Sequence, residues 1–296
     1  SSAASDVYKR QTLPLAVGGI LAGSFLAAYE YYFSWPIFML ALITSVLLQI
    51  LSNLANDYGD FIKGTDQAAA RNDRALASGA ISVRVMKNAL ILLVVLTILC
   101  GLGLITMAFQ TINLNFIIWF LIGLIAVAAA LKYTVGKSAY GYNGLGDLFV
   151  FIFFGPIAVG GTYFLMSGQF TSNILVPSFA FGLLCVAVLN INNLRDLIHD
   201  KVAGKKTMVV RLGYQKSIWY QYLLFGTAIL LFILFARLTK NEYDHLIPVV
   251  FGTIYYLITT KLAIQSEGRD IYNQALKRVS ITNLLFVIFL GIFWLL

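Results

Sequence analysis

Two stretches of this chain gather carboxylates, carboxamides and basic residues at helical spacing. The first holds Asn53, Asn56, Asp57, Asp60, Lys63, Gly64 and Asp66. The second holds Asn190, Asn192, Asn193, Arg195, Asp196, His199, Asp200, Gly204, Lys205 and Lys206. Asn53, Asp57 and Asp60 fall at i, i+4 and i+7, and Asn192, Asp196 and Asp200 at i, i+4 and i+8, so each set shares one helix face. Like charges stacked this way repel unless a cation sits between them. Two such faces turned towards each other would form a concave cage of carboxylate and amide oxygens. Zinc prefers nitrogen and sulfur ligands. An oxygen cage suits Mg²⁺, which binds through a few carboxylates and substrate phosphate oxygens. Lys63, Arg74, Arg195, Lys205 and Lys206 would offset the remaining phosphate charge.

A third polar segment, Lys132 to Asp147, is rich in glycine and tyrosine, with Tyr133, Tyr140 and Tyr142 among them. Spacing alone leaves two roles open for these rings. They could stack on a flat aromatic substrate, or form an interfacial aromatic belt around a turn, with Asp147 complementing a helix dipole. Cys100 and Cys185 fall in separate apolar runs and read as small core residues. His245 reads as interfacial and His199 as a solvated neighbour of the second cluster. No phosphate-binding Walker loop and no Ser/His/Asp set is present.

These groups must be positioned by apolar elements. Of the 296 residues, 59% are hydrophobic and 11% charged, against roughly 45–50% and about 25% in soluble domains. That charge is too sparse to coat a soluble globule, so soluble, disordered and secreted disulfide-rich classes are excluded. The +8 net charge does not signal nucleic-acid binding. The chain reads as an all-α polytopic membrane bundle. Nine apolar runs approach the span length of about 20 residues: Leu13–Tyr32, Trp35–Leu54, Ala89–Phe109, Leu114–Tyr133, Asp147–Met166, Ile174–Ile191, Ile218–Ala236, Leu246–Ala263 and Ser280–Leu296. They do not alternate, which argues against a barrel.

With nine spans, 19 of the 21 Lys and Arg and 10 of the 13 Asp and Glu fall on one side. The positive-inside rule makes that side cytoplasmic. The N-terminus and both acidic clusters then lie inside the cell and the C-terminus outside. Residues 1–11 are small and polar and read as a leader distinct from a single transmembrane domain over 12–296. The clusters close the second and sixth spans, four apart, which hints at a duplicated four-helix unit.

An oxygen-lined Mg²⁺ site at the mouth of an apolar vault fits a molecule with a diphosphate head and a long hydrocarbon tail. Here the motifs carry a resemblance. Asn56-Asp57-x2-Asp60 and Asp196-x3-Asp200-x3-Gly204 resemble the two aspartate motifs of the UbiA-type intramembrane prenyltransferases. The stretches at Thr12–Ala16, Leu47–Asp60, Lys63–Asp66, Tyr133–Gly136, Tyr140–Asp147, Asn190–Asp196 and Val209–Gly213 are most similar to the menaquinone branch, the 1,4-dihydroxy-2-naphthoate polyprenyltransferases. The chain departs from the pattern before Thr12, where Lys9-Arg10-Gln11 stands, and at Arg71-Asn72-Asp73-Arg74.

The resemblance implies a nine-helix UbiA-like fold in the bacterial inner membrane. It implies Mg²⁺-dependent transfer of a polyprenyl group from polyprenyl diphosphate to 1,4-dihydroxy-2-naphthoate, with loss of CO₂, giving demethylmenaquinone. It places Asn56, Asp57, Asp60, Asp66, Asn192, Asp196 and Asp200 on the metal. Asp57, Asp60, Asp196 and Asp200 then serve catalysis. Lys63, Arg74, Arg195 and Lys205 meet the diphosphate, and Tyr133 and Tyr140 the aromatic acceptor.

Rival functions make different predictions. Another UbiA-type enzyme would take a different acceptor, such as 4-hydroxybenzoate. A CDP-alcohol phosphatidyltransferase would need a Gly after the second aspartate of its motif, where this chain has Phe61. An ion-coupled transporter would place its acids near the bilayer midplane in broken spans.

Overall fold

The computed structural model describes residues 12–64, 76–136, 139–239, 246–264 and 269–295. Among them every regular element is helical. In chain order they are α1 (Leu13–Tyr29), α2 (Trp35–Ile62), α3 (Val83–Phe109) and α4 (Leu114–Lys132). A 3₁₀ turn (Tyr140–Asn143) follows, then α5 (Gly146–Ile152), a π-helix (Phe153–Gly160) and α6 (Gly161–Ser167). The remainder is α7 (Ser172–Val202), a short α8 (Met208–Leu212), α9 (Tyr214–Leu238), α10 (Leu246–Ile264) and α11 (Arg269–Leu295).

The nine predicted spans correspond to α1, α2, α3, α4, the α5–π–α6 unit, α7, α9, α10 and α11. Seven of these are long and apolar enough to cross a membrane, and α1 and α10 are shorter apolar helices. Local chemistry starts them. Proline stands in the first turn of α1 and of α2, where its missing N–H costs nothing. Ser82 and Asn113 accept hydrogen bonds from the Val85 and Phe116 amides and so cap α3 and α4.

The two motif helices run further than hydropathy predicts. Spans two and six were expected to stop at Leu54 and Ile191. Helix α2 continues to Ile62 and α7 to Val202. Asn53 to Asp60 and Asn190 to Asp200 therefore lie within the final helical turns. Each helix stops at a glycine with positive φ four residues after its second aspartate, Gly64 at +73° and Gly204 at +69°. The Gly64 amide donates to Phe61 O and the Gly204 amide to Lys201 O. Glycine accepts this left-handed conformation without the usual steric cost.

The fifth span is not a plain α-helix. Pro156 lies inside its π segment and cannot donate a backbone hydrogen bond. The main core surrounds α7, where Phe181, Leu184, Val188 and Ile191 are buried and the helix packs against α1, the π-helix, α9 and α11. Outward faces are apolar, as on α4 at Ile117, Leu121 and Ile125. A helix apolar on all sides belongs in a lipid or protein interior.

Candidate active site

A cavity of about 420 Å³ opens between the helices at the end where both motifs lie. Its upper wall includes Asn56, Asp57, Asp60, Asn192, Asp196 and Asp200. Deeper, it is lined by apolar side chains such as Leu48, Leu104, Phe153 and Ile157. The expected shared faces are therefore real, and they converge. All four aspartates are between 3% and 7% exposed, a burial that a carboxylate tolerates only with charged or hydrogen-bonding partners.

One basic side chain joins the two motifs. Lys205 Nζ stands 3.5 Å from Asp60 Oδ1 and 3.2 Å from Asp200 Oδ1. Gly204 ends α7 and turns the chain back, and the Lys205 amide donates to Asp200 O at 2.9 Å. An ammonium thus sits where the repelling carboxylates require a cation. Arg195 grips the adjacent Asp196 in bidentate fashion, Nε to Oδ1 at 3.1 Å and Nη2 to Oδ2 at 2.6 Å. Lys63, just past α2, lies over the Tyr142 ring at 3.7 Å, a cation–π geometry. Desolvation pulls the Lys63 ammonium below its ordinary pKa. Asp60 opposes that shift and Lys205 adds to it.

The glycine- and tyrosine-rich segment clamps the motifs together. The Tyr142 hydroxyl donates to Asp60 Oδ1 at 2.6 Å. Tyr142 O accepts from the Lys206 amide at 2.9 Å, and Asn143 O from Arg211 Nη2 at 2.8 Å. Thr134 Oγ1 donates to Ala55 O at 2.9 Å and lies 3.1 Å from Asn56 Oδ1. Gly59 makes this approach possible, because a Cβ there would lie 2.8 Å from the Thr134 carbonyl carbon.

Tyr133 and Tyr140 also line the cavity. The Tyr140 hydroxyl is spent on Ala129 O at 3.0 Å, and its ring stacks on Phe149 with centroids 4.0 Å apart. Burial pushes the Tyr140 phenol above its ordinary pKa, so it is neutral at physiological pH. Asp147 accepts from the Tyr220 hydroxyl at 2.9 Å, a tertiary partner beyond the helix-dipole role expected of it. Asp66 and Arg74 lie outside the described residues. Thr134, Gly59 and Arg211 were given no role from sequence, and Tyr142 was named only among the tyrosines of its segment. Tyr142 stood in the right segment, but spacing could not say which of its tyrosines would meet an aspartate.

The donor set tests the expected metal. Every donor is a carboxylate or amide oxygen. Among the described residues, no three His, Cys, Asp or Glu gather into a protein cage. That fits an ion held by one or two carboxylates from each side and completed by substrate oxygens, the habit of Mg²⁺. Zinc would need a different ligand set.

A bundle of apolar helices with its buried charge gathered over one apolar cavity is an integral membrane protein. The sequence model of the UbiA prenyltransferase family matches residues 16–284. The chain is 45% identical to a 1,4-dihydroxy-2-naphthoate octaprenyltransferase of Haemophilus influenzae, over 83% of this chain and 80% of the relative. It is 39% identical to the Escherichia coli protein of the same description, over 97% of this chain and 94% of the relative. In fold it resembles a UbiA homolog from Archaeoglobus fulgidus bound to DMAPP and Mg²⁺. There the TM-score is 0.63 at 17% identity, over 97% of this chain and 99% of that one. The chain belongs to the UbiA prenyltransferase family.

Proposed function

We propose that this protein transfers a polyprenyl group from polyprenyl diphosphate to 1,4-dihydroxy-2-naphthoate with loss of CO₂, giving the reduced quinol, demethylmenaquinol. The reaction requires Mg²⁺ and takes place at the cytoplasmic face of the bacterial inner membrane. The observation that carries this is the convergence of Asp57, Asp60, Asp196 and Asp200 on one cavity with an apolar interior. The naphthoate acceptor is favoured by the names of the two bacterial relatives.

Asp57, Asp60, Asp196 and Asp200 would hold Mg²⁺ with help from Asn56 and Asn192. When bound, the metal neutralises the diphosphate and makes it a better leaving group. Lys63, Lys205 and Arg195 take up phosphate charge, Lys205 by leaving its two carboxylates for the phosphate oxygens. The prenyl C–O bond breaks and the electron pair departs with the diphosphate. Leu48, Phe149, Phe153 and Ile157 exclude water from the allylic cation. The naphthoate ring carbon bearing the carboxylate forms the new C–C bond. Its C–CO₂ bond then breaks and returns that electron pair to the ring.

The test is turnover by the purified full-length chain with dihydroxynaphthoate and a labelled prenyl diphosphate, with and without Mg²⁺. Naphthoate should be consumed only with metal present, and Asp57→Ala and Asp196→Ala should be inactive. Activity in either variant, or preferential use of 4-hydroxybenzoate, overturns the proposal. Transport is disfavoured because the buried aspartates cluster at one end of the bundle.

A further inference from the structure

The cavity wall carries a polar cluster that neither the diphosphate nor the tail requires. Gln49 is only 9% exposed and lies two helical turns deeper along α2 than Asp57. Its Nε2 donates to Thr12 Oγ1 at 2.9 Å and to Asn53 Oδ1 at 3.2 Å. Asn53 Nδ2 also donates to Thr12 Oγ1, at 3.3 Å. All three side chains line the cavity. We propose that Thr12, Gln49 and Asn53 form the subsite for the oxygen substituents of the aromatic acceptor, an inference that rests on the prenyl-transfer function proposed above.

Three arguments support this assignment. First, a buried carboxamide in an apolar wall is costly unless its hydrogen-bonding capacity is met. Both Gln49 amide hydrogens are committed, whereas among the described residues Gln49 Oε1 accepts no hydrogen bond. Among the described residues, the Thr12 hydroxyl accepts two hydrogen bonds and donates none. The pair therefore offers one acceptor and one donor side by side. A naphthol hydroxyl can donate to Gln49 Oε1 and accept from Thr12 Oγ1.

Second, the level is right. At 1.5 Å per residue, Asn53 lies about 6 Å and Gln49 about 12 Å along α2 from Asp57. The reacting prenyl carbon follows directly on the diphosphate, so the attacking ring must lie just below the aspartates. A prenyl chain has no group to hydrogen-bond there.

Third, the donor groups of Ser45 and Asn190 are engaged in contacts between helices. Ser45, one turn deeper, donates to Ala16 O at 3.1 Å and ties α2 to α1. The buried Asn190 donates to Ser217 O and Gln221 Oε1, and neither Asn190 nor Gln221 lines the cavity.

The alternative is that the cluster only fastens α1 to α2, as polar side chains do in membrane bundles. Separate KM values for the two substrates distinguish the roles. Gln49→Met and Thr12→Val keep side-chain volume and remove the hydrogen bonds. Each should raise the KM for dihydroxynaphthoate about tenfold. The KM for prenyl diphosphate and the Mg²⁺ requirement should stay within about twofold. An acceptor lacking one ring hydroxyl should be penalised by the wild type and hardly at all by Gln49→Met, since the partner is already gone. An unchanged acceptor KM overturns the subsite, as do equal shifts in both KM values with a lowered Tm. A wild type that consumes no naphthoate overturns the function itself, and the subsite with it.

Discussion

At the scale of single residues, the site depends on how buried carboxylates are partnered. Tyr142 donates to Asp60, and a hydrogen bond to a charged acceptor contributes about 1.5–3 kcal/mol. Tyr142→Phe keeps the ring beneath Lys63 and should lower turnover about 10- to 100-fold. Steady-state kinetics on the two proteins checks this. Lys205 bridges the motifs, so Lys205→Met leaves Asp60 and Asp200 facing each other without that ammonium. Mg²⁺ should then raise the Tm of the variant more than that of the wild type, because the ion takes over the missing positive charge. Thermal unfolding with and without Mg²⁺ measures it. Equal shifts would show that Lys205 does not occupy the cation's place.

At the scale of elements, the decisive contacts are close approaches of backbone. Gly59 lets α2 lie against Thr134, and that contact sets the turn from which Tyr142 reaches Asp60. Gly59→Val requires the two segments to separate, and overpacking of this kind costs about 1–3 kcal/mol. The variant should insert and fold, with a lowered Tm, and lose at least about 90% of its turnover. Full activity would show that the third segment does not align the first motif. Hydropathy located the helices but misplaced the ends of α2 and α7. Polar turns such as Asn56 to Ile62 look like loop in a transfer scale. They stay helical because Lys205 and Tyr142 partner their charges, and because the stop signals are Gly64 and Gly204.

At the scale of the molecule, the asymmetry of charge predicts the orientation. With 19 of 21 basic residues on one side, the positive-inside rule predicts that the motif end faces the cytoplasm. Val202, 73% exposed beside the second motif, and Tyr31, 97% exposed at the opposite end of the bundle, report the two faces. In a background lacking Cys100 and Cys185, Tyr31→Cys in intact cells should react with a membrane-impermeant maleimide. Val202→Cys should react only after the membrane is opened. The reverse pattern would invert the topology and place the site outside.

The sequence by itself determined the helical class, the run of spans, the faces shared by Asn53, Asp57 and Asp60 and by Asn192, Asp196 and Asp200, and the end on which charge gathers. These are consequences of local periodicity and of a lipid solvent that leaves few structures to choose from. Only the tertiary structure decided that Tyr142 meets Asp60, that Lys205 stands between carboxylates of different helices, that Thr134 rests on Gly59, and that Gln49 faces the cavity with Thr12. Each of these pairs joins segments far apart in the chain. Their meeting depends on helix packing and on where a glycine permits close approach, and neither is written in the spacing of residues along one helix.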